Sequence, residues 1–137
     1  MMKSIVFGSL ASVIVAIGPA HTQDALSAGD AEAGATVFKR CMACHKVGPD
    51  AKKGVGPVLN GVVGRAAATY PDYSYSTAMK NSGLIWDEAT LTTYLRAPRK
   101  LVPGTKMTFS GLKKPHEIAD VIAYLKQFDA QGQQASP

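Results

Sequence analysis

The sequence predicts an all-α fold with three main helices, short additional helices and long loops wrapped around a bound group. Apolar residues recur at helical spacing in three segments, and no segment alternates apolar and polar residues as a half-buried strand would. Residues 46–72 show no periodic spacing of apolar residues, and glycine and proline recur along them. A loop this long is uncommon in a compact domain. A large apolar ligand would account for the length of this loop, because the ligand would supply the apolar contacts that the loop itself lacks.

Residues 1–22 are predicted to be a cleaved secretory signal peptide. Met1–Lys3 gives a positive start, Ile5–Ile17 is apolar or small throughout, and Gly18–Ala20 offers a small-residue exit. A spanning helix needs about 20 apolar residues, so an uncleaved anchor is the weaker alternative. We therefore expect one domain of residues 23–137 in the periplasm, where an oxidising environment suits its two cysteines.

The first helix is predicted to enter at Ser27–Asp30, with Ser27 as its cap and acidic residues in its first turn. Its apolar face is formed by Gly34, Val37, Phe38 and Cys41, at spacings of i, i+3, i+4 and i+7. Glycine inside a helix costs about 1 kcal/mol relative to alanine. We therefore expect another helix to approach closely at Gly34.

The stretch Cys41-Met42-Ala43-Cys44-His45 is typical of a covalent c-type haem attachment site. Two thiols one short turn apart can join the two vinyl groups of one porphyrin, and the following histidine can supply an axial nitrogen to the iron. The alternatives are a zinc site, a redox-active dithiol and a plain disulfide. Zinc would need further ligands, and only His21 and His116 remain; a dithiol enzyme would place the pair after a strand. Haem attachment is therefore favoured.

The middle of the chain contains two further helical patterns. Ser76–Asn81 fits a short helix that Gly83 stops. Asp87 is predicted to cap the next helix, which Pro98 ends. The buried face of that helix is formed by Leu91, Tyr94 and Leu95.

Residues 99–111 form a second irregular segment, and the last helix follows it. Pro115 fits the first turn of that helix. Its inner stripe is formed by Ile118, Val121, Ile122 and Leu125. After Phe128 the composition predicts a short, flexible C-terminal tail.

A second axial ligand would decide what a bound haem can do. Met42 lies within the attachment loop and cannot reach the other face of the ring, and His116 lies at the start of a helix whose inner face points elsewhere. Met79 falls in a short helical pattern, where methionine usually fills core. Met107 lies in a loop held by proline and glycine, so we predict Met107 as the ligand. Iron closed on both faces is suited to passing single electrons.

The charge of the chain is mildly basic. Its net charge is +5, and it falls to +4 without Lys3. This excess suits transient docking on an acidic partner surface, with steering that weakens as salt rises. The sequence contains no dense basic run, so nucleic acid is not expected as a partner.

Several segments, in the same order along the chain, resemble class I cytochrome c. They span Gly29 to Phe128 and comprise Cys41–His45, Gly56–Gly61, Tyr75–Gly83, Trp86 and Pro103–Met107. Within the family they are most similar to mitochondrial cytochrome c and to cytochrome c2 of purple photosynthetic bacteria, and the leader favours the latter. The resemblance implies the class I cytochrome c fold around one haem c, joined to Cys41 and Cys44, with His45 and Met107 on the iron.

The resemblance also implies roles for residues around the haem. The carbonyl of Pro57 would accept a hydrogen bond from the free ring nitrogen of His45. In the family, certain residues contact the haem propionates. The matching positions in this sequence are Arg65, Tyr75, Trp86 and Thr105. Tyr94 would touch the Met107 side of the iron, and Phe109 would shield the haem edge.

Three other features are compared with the family. Gly34 and Tyr124 match a close crossing of the first and last helices. Met79 departs from the family, in which asparagine commonly takes part in a hydrogen-bond network near the haem. A basic ring around the exposed haem edge is matched by Arg40, Arg99, Lys100, Lys106, Lys113 and Lys114.

The function that the resemblance implies is periplasmic one-electron transport rather than catalysis. A monomeric carrier would take electrons from a cytochrome bc1 complex and deliver them to a photosynthetic reaction centre or a terminal oxidase, docking transiently on these membrane complexes. The alternative is a haem enzyme or gas sensor with a labile sixth ligand.

Overall fold

Five helices make up the secondary structure of residues 28–135, the part of the chain that the computed structural model describes. They are α1 (Ala31–Phe38), α2 (Thr77–Lys80), α3 (Glu88–Arg96), α4 (Pro98–Leu101) and α5 (Pro115–Lys126). Strand pairing within these residues is limited to isolated bridges, Ala66 with Ile85 and Phe128 with Gln134. The predicted all-α fold is confirmed. The predicted signal peptide and Ser27 lie outside the described residues.

The helix starts follow from side chains that accept hydrogen bonds from otherwise unpaired backbone N–H groups. Asp30 accepts from the N–H groups of Glu32 and Ala33 and therefore caps α1, for which Ser27 was predicted. Ser76 caps α2 and Asp87 caps α3, as predicted.

Helix α1 ends earlier than its apolar period predicted. The last helical residue is Phe38, and Cys41 lies in the turns that follow. The Cys41 N–H donates to Phe38 O at 2.7 Å, and the N–H groups of Cys44 and His45 both donate to Cys41 O. These tight turns continue the path of the helix, which explains why Cys41 kept the helical spacing in the sequence.

Two irregular segments are more ordered than predicted. Pro98 ends α3 but also begins α4, because proline lacks only an N–H that the first turn of a helix leaves unpaired. Residues 129–135, for which a flexible tail was predicted, fold back on the domain. The Ala135 N–H donates to Gln127 O at 2.8 Å, and the Asp129 carboxylate accepts from the N–H groups of Gln131 and Gln133.

Gly34 in α1 and Gly29 just before that helix allow close contact with α5. A Cβ placed at Gly34 would lie 2.0 Å from Asp120 O, and one placed at Gly29 would lie 2.0 Å from Ala119 O. Beside this crossing the rings of Phe38 and Tyr124 have centroids 5.3 Å apart. The close approach predicted at Gly34 is therefore present.

The apolar core lies between α1, α3 and α5. Helix α5 contributes its predicted stripe, with Ile118 and Val121 each 1% exposed, and α3 contributes Leu91, Tyr94 and Leu95. Residues 46–75 and 102–112 run along the other side of these helices as loops. The two loops and the core face enclose a cavity.

Candidate haem-binding site

Every residue that the sequence analysis assigned to haem or iron lines one cavity. The wall is mainly apolar and is built by α3, α5, the attachment turn and the two long loops. The predicted site residues that line it are Cys41, Cys44, His45, Pro57, Arg65, Tyr75, Trp86, Tyr94, Thr105, Met107 and Phe109.

The imidazole of His45 is held in one orientation. Its Nδ1–H donates to Pro57 O at 2.7 Å, so in the neutral ring the lone pair is on Nε2. The ring also lies against Gly56, where an added Cβ would be only 2.6 Å from His45 Cε1. Burial lowers the pKa of His45, while the Pro57 hydrogen bond acts in the opposite direction. The environment therefore favours a neutral, metal-binding imidazole.

The two cysteines are half-buried, unpaired thiols one turn apart. Burial raises the pKa of the Cys41 thiol, and the nearby Arg40 guanidinium partly opposes this effect. Within residues 28–135 no group of three His, Cys, Asp or Glu side chains could hold a metal ion, as a zinc site would require. Both thiols line the cavity, where a bound group could reach them.

Met107 is positioned by a short hydrogen-bond chain. Its N–H donates to Thr105 Oγ1 at 3.2 Å, and the same oxygen is 3.2 Å from the Tyr94 hydroxyl. When Tyr94 donates in this pair, the Thr105 proton remains free to donate to a ligand. The Tyr94 ring packs at 4.8 Å from the buried ring of Trp86. Met107 is thus joined to α3 through Thr105.

Arg65 shows that the cavity suits a ligand with carboxylate groups. Its Nη1 donates to Asn60 O at 2.7 Å, but its Nε is buried without a hydrogen-bond partner. Burial lowers the pKa of Arg65, and no carboxylate among the described residues forms an ion pair with it. Arg65 is a partly buried cation, and an anionic partner would offset its desolvation. The two propionates of haem would supply one, so the residues present fit haem.

Met79 contributes an apolar wall at the position where the resemblance led us to expect asparagine. Its side chain is 8% exposed, and the nearby Ser82 hydroxyl donates to the Met79 backbone carbonyl at 2.8 Å. The hydroxyl therefore needs no partner from the cavity.

Residues 70–75 are part of the site that the sequence analysis missed, apart from Tyr75. The Tyr73 hydroxyl donates to Val55 O at 2.9 Å, and Lys106 Nζ donates to Ser74 O at 2.6 Å. Lys53 Nζ donates to Asp72 O. The segment thereby joins the loop beside His45 to the loop that carries Met107. Three tyrosines in six residues, at positions 70, 73 and 75, were the available signal.

Arg40 is a member of the predicted basic ring that pairs with a carboxylate. Its guanidinium donates two hydrogen bonds to Glu117, at 2.9 and 3.1 Å. Lys114 Nζ lies 3.8 Å from the same carboxylate. This cluster joins the attachment turn to the start of α5. Arg99 and Lys100, by contrast, form no ion pair within residues 28–135.

Replacing Glu117 with glutamine is expected to lower the free energy of unfolding near neutral pH and to have little effect in acid. The Arg40 hydrogen bonds lower the pKa of the folded-state carboxyl. Its stabilising contribution is therefore present above the ordinary carboxyl pKa and is lost as pH falls through the folded-state value. Denaturant unfolding of both proteins between about pH 3 and pH 7 measures this difference.

The matched control for this prediction is Asp50→Asn. Asp50 is exposed and forms no ion pair within residues 28–135. A destabilisation by Glu117→Gln that did not change with pH would contradict the ion-pair explanation.

Together, the fold and this site define a small protein that holds haem covalently. The chain belongs to the cytochrome c family, whose sequence model matches residues 31–129. It therefore carries haem c through Cys41 and Cys44, and it is an electron carrier rather than an enzyme.

Proteins named cytochrome c2 are similar over most of the chain. That of Rhodomicrobium vannielii is 53% identical over 124 residues, covering 90% of this chain and 95% of the relative. That of Rhodoblastus acidophilus is 57% identical over 105 residues, covering 77% of this chain and 98% of the relative. The solved structure of cytochrome cH from Methylobacterium extorquens is 50% identical, with a TM-score of 0.68, and the match covers 72% of this chain and 98% of that one.

Proposed function

We propose that His45 and Met107 are the two axial ligands of the haem iron. The observation that carries this proposal is that an imidazole oriented by Pro57 and a methionine whose backbone N–H is bonded to Thr105 line the same cavity as the two attachment thiols. Haem iron so ligated exchanges one electron between its ferrous and ferric states, and a thioether ligand favours the ferrous state. The protein's part is to hold both ligands and to keep the cavity apolar.

The surrounding residues are proposed to orient the ligands and to receive the propionates. Pro57 fixes the His45 ring through its carbonyl, and Tyr94 positions Met107 through Thr105. Phe109 is proposed to cover the haem edge. The proposed propionate partners are Arg65, Tyr75, Trp86 and Thr105. The unpaired Nε of Arg65 supports this assignment, as does the Thr105 hydroxyl, whose proton is free for a ligand when Tyr94 donates to it.

We further propose that the mature chain, residues 23–137, is a monomeric periplasmic carrier. It would accept an electron from a cytochrome bc1 complex and pass it to a photosynthetic reaction centre or a terminal oxidase. Similarity to cytochromes c2 supports this role. The predicted leader supports export. No helix within residues 28–135 is long and apolar enough to span a membrane.

Electron transfer with isolated membranes tests this role. The purified haem protein is expected to be reduced by bc1-containing membranes and oxidised by reaction-centre or oxidase membranes, with second-order rates that fall as ionic strength rises. Lys106 lines the cavity and is exposed, so Lys106→Glu should slow both reactions roughly tenfold at low salt. Its Nζ also donates to Ser74 O, so the part of the slowing that disappears at high salt is the part that measures docking.

Lys80→Glu is the matched control for these rates. Lys80 is exposed on α2 and does not line the cavity, so the same change of charge should have a smaller effect. Equal slowing by both variants would show that docking does not take place at the cavity mouth. Failure to react with either kind of membrane would contradict the proposed role.

A further inference from the structure

Asn60 is the polar residue most deeply buried in the described part of the chain, and both ends of its carboxamide are used. It is 6% exposed. Its Oδ1 accepts from the Gly48 N–H and its Nδ2 donates to Gly48 O, both at 2.8 Å. Its backbone carbonyl accepts from Arg65 Nη1 at 2.7 Å. Asn60 therefore connects the loop at Gly48 with the guanidinium in the cavity wall.

Residues 129–135, which we call the C-terminal segment, pack directly on this pair. Gly132 is buried, and a Cβ placed there would lie 2.2 Å from Gly48 O and 2.5 Å from Asn60 Nδ2. The preceding residue Phe128 accepts a hydrogen bond from the Gly61 N–H at 3.1 Å. The segment thus covers Gly48 and Asn60 at backbone contact distance.

Arg65 depends on Asn60 for the direction of its planar guanidinium. Because its nitrogens are fixed in one plane, the bond from Nη1 to Asn60 O restricts the directions in which Nε can point. Nε is the buried donor left without a partner. A cation that is already fixed toward a site stabilises a change of charge there more strongly than a cation that must first reorganise. The position of Asn60 therefore affects how strongly Arg65 favours the less positive, ferrous iron.

We propose that the C-terminal segment is a clasp that holds Asn60 against Gly48 and thereby positions Arg65 toward the haem carboxylates. Asn60 is in this sense a positioning residue, and the end of the chain raises the reduction potential of the haem. The inference rests on the proposed function, in which Arg65 faces the propionates. It adds a residue and a segment to which that function assigned no role.

Gly132→Ala in the haem-loaded full chain tests the clasp. A methyl group at 2.2 Å from a backbone oxygen must displace the segment, so the reduction potential should fall to a value between those of the wild type and Arg65→Ala. Exchange of the Gly48 amide hydrogen should also become roughly tenfold faster or more. Spectroelectrochemical titration and hydrogen exchange measured by NMR give the two values.

Gly83→Ala is the matched control, because both glycines have positive φ, +64° at Gly83 and +77° at Gly132. A Cβ at Gly83 meets no atom within 4 Å, so this variant has the same kind of backbone strain without the clash. It should leave the reduction potential and the Gly48 exchange rate unchanged. Asn60→Ala is a second variant, which removes the two hydrogen bonds between the Asn60 carboxamide and Gly48. It should also lower the reduction potential.

The same measurements on Arg65→Ala and on the double variant Arg65→Ala, Gly132→Ala separate two proposals. The first is that Arg65 faces the haem propionates, and the second is that the C-terminal segment positions Arg65. We expect Arg65→Ala to lower the potential and Gly132→Ala to add no further fall in that background. An unchanged potential in Arg65→Ala would overturn the role of Arg65 itself and the clasp with it. A fall with Arg65→Ala but none with Gly132→Ala or Asn60→Ala would overturn the clasp alone. Equal falls from Gly132→Ala in both backgrounds would also overturn it.

Discussion

Replacing Met107 with alanine is expected to abolish the sulfur-to-iron charge-transfer absorption of the ferric protein and to lower its reduction potential strongly. A thioether is a soft ligand that favours ferrous iron, so its loss stabilises the ferric state relative to the ferrous state. A thousandfold change in this preference corresponds to a fall of roughly 180 mV, at 59 mV per tenfold for one electron. Visible spectra of both oxidation states and a redox titration measure the two effects.

The structure also supplies the control for this substitution. Met79 is the other methionine that lines the cavity, and its side chain is 8% exposed. Met79→Leu conserves volume and should cost less than about 1.5 kcal/mol in the free energy of unfolding. If Met107 is the ligand, Met79→Leu keeps the absorption band. Loss of the band in this variant, with retention in Met107→Ala, would reverse the assignment.

The distinction between the two methionines shows what sequence reasoning could reach. Met107 was preferred because a loop held by Pro103 and Gly104 places no helical constraint on the side chain. In the structure its N–H is bonded to Thr105, whose hydroxyl pairs with Tyr94 on a different element. This second link joins residues 11 positions apart and follows no period. The sequence therefore singled out Met107 as the candidate ligand, but it did not predict the link from Thr105 to Tyr94.

The attachment site was the most predictable part of the molecule. Its residues are neighbours in sequence, and the chemistry of two thiols and one imidazole requires their spacing. The residues that bind one another through backbone carbonyls were far less predictable. Tyr73 donates to Val55 O, and Arg65 donates to Asn60 O. A carbonyl is present in every residue, so composition and spacing carry no signal for such partners. The exception is Pro57 as the partner of His45, which the family resemblance implied.

The ends of the irregular segments were predicted least well. Composition made residues 129–135 resemble a flexible tail, because they are polar and small. Gly132, however, is what allows this segment to touch Gly48 O. In the same way, Pro98 was assigned as the end of one helix, although its missing N–H also suits the start of another. Glycine is compatible with a flexible or a packed segment, and proline with the end or the start of a helix. Long-range contacts decide which of these forms.

Gly34→Ala is the other substitution for which we expect a large effect, here on the free energy of unfolding. The sign of this effect shows whether helix propensity or steric contact with α5 dominates. Helix propensity alone predicts that alanine at this position would stabilise α1 by about 1 kcal/mol. The added methyl would lie 2.0 Å from Asp120 O and 2.8 Å from Tyr124 Cβ, well inside van der Waals contact. Overpacking of this kind costs about 1–3 kcal/mol, and more where the neighbour cannot move.

The obstacle at Gly34 is largely the backbone of α5, so repacking a side chain cannot relieve it. Separating the two helices would also weaken the hydrogen bond from Asp30 N–H to Asp120 Oδ1 at 2.8 Å and the contact between Phe38 and Tyr124. We therefore expect a net loss of about 2 kcal/mol or more in the free energy of unfolding. Denaturant unfolding followed by circular dichroism measures it.

Ala33→Gly calibrates this result, because Ala33 is the exposed neighbour of Gly34 on α1. It should cost about 1 kcal/mol through propensity alone. If Gly34→Ala were stabilising by the same amount, the two substitutions would differ only in sign and the crossing would have room for a methyl group. A loss at both positions would instead show that contact with α5, and not helix propensity, requires glycine at position 34.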